Sequence, residues 1–131
     1  GMFNTDAVLK RLSSFGIETE KPDEFVVSFA VEKVRSTIKN EINWQDVPDG
    51  LEHIAIDMAA GEFLLNKKTF APDSLNIDLS YAVKQIQAGD MNTVFATGES
   101  SLTPEQRLDN FINYLLSYGK SEFASFRRLK W

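Results

Sequence analysis

His53 is the only histidine in the chain, so it is where acid–base or metal chemistry would first be sought. Glu52 stands beside it, and Asp57 follows four positions later, on the same face of any helix that carries both. One imidazole and one carboxylate are too few for either chemistry. A catalytic zinc needs three protein ligands, and nucleophilic catalysis needs a nucleophile with an oriented base. The spacing predicts instead a partly exposed helix residue paired with a carboxylate. Asp23 and Glu24 are adjacent acids, but Pro22 precedes them, and a helix start attracts anions through its dipole alone. Ser13-Ser14 and Ser100-Ser101 stand at turns without a base, and the glycines at 98 and 119 match no phosphate-cradling loop. The absence of cysteine excludes thiolate catalysis, disulfides and Cys-rich metal sites. The residues predict no enzyme: no catalytic, cofactor-binding or metal-ligating side chain.

What remains is surface chemistry, concentrated in residues 120–131. This segment carries Phe123, Phe126, Arg127, Arg128, Leu129, Lys130 and Trp131. Its four cations against Glu122 give +3, leaving 10 cations against 18 anions, or −8, in the rest of a chain whose net charge is −5. Large apolar groups on such a tail must pack on a surface, either their own domain's or a partner's. The acidic balance disfavours a general nucleic-acid binder, which needs a positive surface to neutralise phosphate. It favours an acidic protein partner, with the aromatics as anchors and the arginines paired to carboxylates. An acidic body with a basic tail also suits head-to-tail assembly, which closes into a ring when the rotation permits.

The elements that must position these groups are mostly helices. Hydrophobic residues at 43% and charged residues at 25% of 131 residues fit one globular domain. The spacing predicts a first helix over 5–15, capped by Asn4 or Thr5 and stopped by Gly16. A second runs from Pro22 to about residue 40 with Val27, Ala30, Val31, Val34 and Ile38 inward. Phe25, Val26 and Phe29 widen its stripe, so contacts on more than one side are expected. A third, over 48–67, is the most apolar and therefore the core, and its Ala59-Ala60-Gly61 run invites close approach by another helix. Thr103-Pro104-Glu105-Gln106 is a capping box that opens the last helix, with Leu108, Phe111, Ile112 and Leu115 inward.

Residues 79–96 read two ways. Leu79, Val83 and Ile86 fit a helical face, whereas 84–88 and 91–96 around Gly89-Asp90 fit a two-residue hairpin. Thr93, Val94 and Phe95 favour the hairpin. The expected fold is thus mainly α: a compact bundle of about four helices over 2–119, a small β-hairpin at about 84–96, and an extended tail over 120–131. No apolar run approaches the roughly 20 residues of a membrane span, and no signal-peptide pattern opens the chain. Gly1 ahead of Met2 reads as a remnant of tag removal.

The stretches FVVSFAVEKVRSTIKN at 25–40 and VPDGLEHIAIDMAAG at 47–61 resemble small head–tail connector (adaptor) proteins of tailed phages and prophages. IQAGD at 86–90 and the ending FRRLKW at 126–131 are also similar to that family, so the resemblance spans about residue 23 to the end. It implies a mostly helical fold with a small β element and a structural role without a cofactor. It also implies a homo-oligomeric ring beneath the portal, monomeric in isolation, in the virion neck after assembly in the bacterial cytoplasm. The partners would be the portal protein and neighbouring connector or neck proteins, with DNA passing through without sequence-specific binding and no membrane involved. Residues 123–131 would engage the portal or a neighbouring subunit. Lys84, Gln85, Gln87, Asp90 and Asn92 would lie at a subunit contact or toward the channel. The alternatives are another small interaction module or a nucleic-acid-binding protein.

Overall fold

A computed structural model describes residues 3–45, 47–75, 77–85 and 103–127. Six α-helices are present among them: α1 Thr5–Ser14, α2 Lys21–Ile42, α3 Glu52–Phe70, α4 Leu79–Lys84, α5 Pro104–Ser117 and α6 Phe123–Phe126. Short 3-10 turns at Asp49–Leu51 and Lys120–Glu122 lead into α3 and α6.

The termini follow from local chemistry. Asn4 caps α1, its Oδ1 accepting from the Ala7 amide at 2.9 Å. Gly16 leaves the helix at φ +82°, and Ile17 N–H returns to the Leu12 carbonyl, a left-handed stop that glycine adopts without strain. At the start of α2, the Glu20 amide donates to Asp23 Oδ2 at 2.9 Å in a capping box. Asp23 is thus a helix-start acid, and it also holds Lys67 of α3 at 2.9 Å. Thr103 and Gln106 exchange side-chain and amide hydrogen bonds at 3.2 and 3.0 Å at the start of α5.

The centre of the molecule is α3. Asp23 meets Lys67 and Lys33 meets Glu62, so α2 runs antiparallel along one side. Lys68 bonds to Asp109, and Asp57 to Tyr118 Oη at 2.7 Å, so α5 runs antiparallel along the other. The small-residue run has the consequence expected of it. A Cβ on Gly61 would stand 3.1 Å from Leu115 Cβ and from the Leu116 side chain, so α5 packs against the bare backbone there. One core joins all six helices, including Phe15, Phe63 and Phe111, with Phe15 and Phe111 edge-to-face at 5.3 Å.

Two expectations are corrected. Lys84 does not open a strand: it is the last residue of α4, and Gln85 is the C-cap. Asp78 Oδ1 caps this helix through the Tyr81 amide at 3.1 Å, and Ala82 and Val83 are buried in the core. The helical reading of Leu79 and Val83 therefore holds at this end. The described residues contain no strand, and the remainder of the expected hairpin, 86–96, lies outside them. Nor is the tail extended over 120–126, where the chain coils into a 3-10 turn and α6. The reason is burial, because Phe123 is only 4% exposed.

Candidate docking surface

The first half of the tail is engaged by its own domain. Phe123 lies in the core, and Phe126 packs edge-on to Trp44 at 6.2 Å. The Trp44 indole N–H donates to the Phe126 carbonyl. Arg127 donates through Nε to the Glu41 carbonyl at 3.0 Å and through Nη2 to Glu41 Oε2 at 3.2 Å. Of the two surfaces open to the tail, its own domain receives Phe123, Phe126 and Arg127, which hold the chain against the core and the C-terminal end of α2. Arg128, Leu129, Lys130 and Trp131 lie outside the described residues, as do Gln87, Asp90 and Asn92. Lys84 is exposed and Gln85 half-buried at the end of α4.

The polar residues that looked chemical are distributed otherwise than their spacing implied. Asp57, 5% exposed, pairs not with His53 but with Arg11 Nε at 2.7 Å and the Tyr118 hydroxyl at 2.7 Å. Tyr118 stacks on Tyr114 at 4.9 Å, and the Arg11 guanidinium covers the Phe15 ring at 4.6 Å. Burial, then the hydrogen bond to the Asp57 carboxylate, push the Tyr118 hydroxyl well above its ordinary pKa. The neighbouring Tyr114 is raised by the same burial and by the Asp57 charge. Both Asp57 oxygens accept hydrogen bonds, so the cluster ties α1, α3 and the end of α5 together. His53 is a surface residue whose Nε2 lies 4.0 Å from Glu122 Oε2. That separation is too long for a hydrogen bond, and both side chains are exposed. Among the described residues no three acidic or histidine side chains converge as a metal site, and no helix is long and apolar enough to cross a membrane.

The feature that stands apart is an apolar groove of about 430 Å³ between α2 and α3. Val26 and Phe29 line one wall, Leu65 and Phe70 the other, and the Lys33–Glu62 ion pair at 2.9 Å crosses one end. Phe29 and Phe70 are 77% and 78% exposed, and Phe25, one helical turn before Phe29, is 73% exposed. Taking roughly 200 Å² for a phenylalanine side chain, these three rings leave about 450 Å² of aromatic surface in water. That is the size of the largest patch on a typical monomer, and such patches are commonly functional. Sequence reasoning caught half of it. Phe25, Val26 and Phe29 exceed one inward stripe of α2, whereas Phe70 falls beyond the expected end of the third helix at residue 67 and joins the groove only because α3 continues three residues further.

No family model, curated protein or solved structure matches this chain.

Proposed function

We propose that this protein is a non-enzymatic assembly module. On its resemblance to head–tail connectors, it binds a phage or prophage portal and joins a ring that extends the DNA channel. The observation that carries the reading is the aromatic face of α2 and α3. A domain with an adequate core elsewhere has no folding reason to hold Phe25, Phe29 and Phe70 in water, so they are kept for contact with another polypeptide. Three further features support it. The body is mainly helical, its buried polar groups are committed to structure, and its acidity leaves phosphates ungripped.

The test is sedimentation of the purified chain alone and with portal rings. Co-sedimentation with the portal, weakened by replacing Phe29 and Phe70 with serine, is the expected result. A chain that never associates with the portal at high concentration overturns the reading, whereas a monomer in isolation does not, because ring formation can be templated by the portal.

A further inference from the structure

We draw no further inference here: the strongest candidate, the apolar groove between α2 and α3 lined by Val26, Phe29, Leu65 and Phe70, belongs to the docking surface already described, and nothing in the structure shows what covers it.

Discussion

Ending the chain after Gly119 separates a structural tail from a purely adhesive one. The cut removes Phe123, which is 4% exposed, together with the Phe126 ring against Trp44. Truncating a buried phenylalanine costs about 3–5 kcal/mol through lost transfer energy and the cavity left behind. The edge contact to Trp44 adds about 0.5–1.5 kcal/mol. The indole N–H also loses its carbonyl, but the cut admits water to it, so little is added. The expected loss is about 4–6 kcal/mol, set against roughly 5–15 kcal/mol for a whole domain. With about 3–5 °C per kcal/mol at this size, Tm should fall by about 12–30 °C. Urea denaturation followed by far-ultraviolet circular dichroism measures the free energy directly, and the m-value reports whether cooperativity survives. Phe123→Ala alone should account for about 3–4 kcal/mol of the loss. Removing only residues 128–131 leaves every one of these contacts in place. If the chain ending at Gly119 unfolds within about 1 kcal/mol of wild type, α6 is not part of the core and the assignment of Phe123 fails.

Four other outcomes follow from the packing. Asp57→Ala strands the half-buried Arg11 charge and the Tyr118 hydroxyl; partial solvent access to Arg11 discounts the penalty to about 2–4 kcal/mol, read from the shift in urea midpoint. Tyr118 has a folded pKa raised above its ordinary 10.0, so folding favours its neutral form. That stabilisation is complete below pH 10 and is lost as pH climbs toward the raised folded value. Wild type should therefore weaken above about pH 10 and Tyr118→Phe should weaken less steeply, as alkaline denaturation curves would show. Gly61→Leu must push α5 off α3, costing about 2–3 kcal/mol, and Thr103→Ala, which dismantles the capping box of α5, about 1 kcal/mol; both are read from thermal melts, and an unchanged Tm in either refutes the corresponding contact.

How much was legible in the residues varies by element. Helix starts and stops were readable because caps are local: Asn4, Gly16, Pro22 and the Thr103–Gln106 pair each act within a few positions of themselves. Inward stripes were readable for the same reason, since periodicity shows which face is apolar, and Gly61 announced a close neighbour. The start of the expected hairpin at Lys84 shows where such reading ends. A short run with mixed propensities is decided by what it packs against: Ala82 and Val83 are buried and Lys84 closes their helix, while 86–96 lie outside the described residues.

Partnerships between distant residues were closed to sequence reasoning. His53 and Asp57 share a register, yet Asp57 bonds to Arg11 and Tyr118, which lie 46 and 61 positions away. Only the stacking of α1, α3 and α5 brings those groups together. The same holds for the tail and the groove. The residues themselves established that Phe25, Phe29, Phe123 and Phe126 exceed what simple helical stripes consume. Which of them would be covered depended on the room left between helices once α2, α3 and α5 had packed. That packing left space for Phe123 inside and none for Phe25 and Phe29, because burial is a property of the assembled volume and not of any one segment.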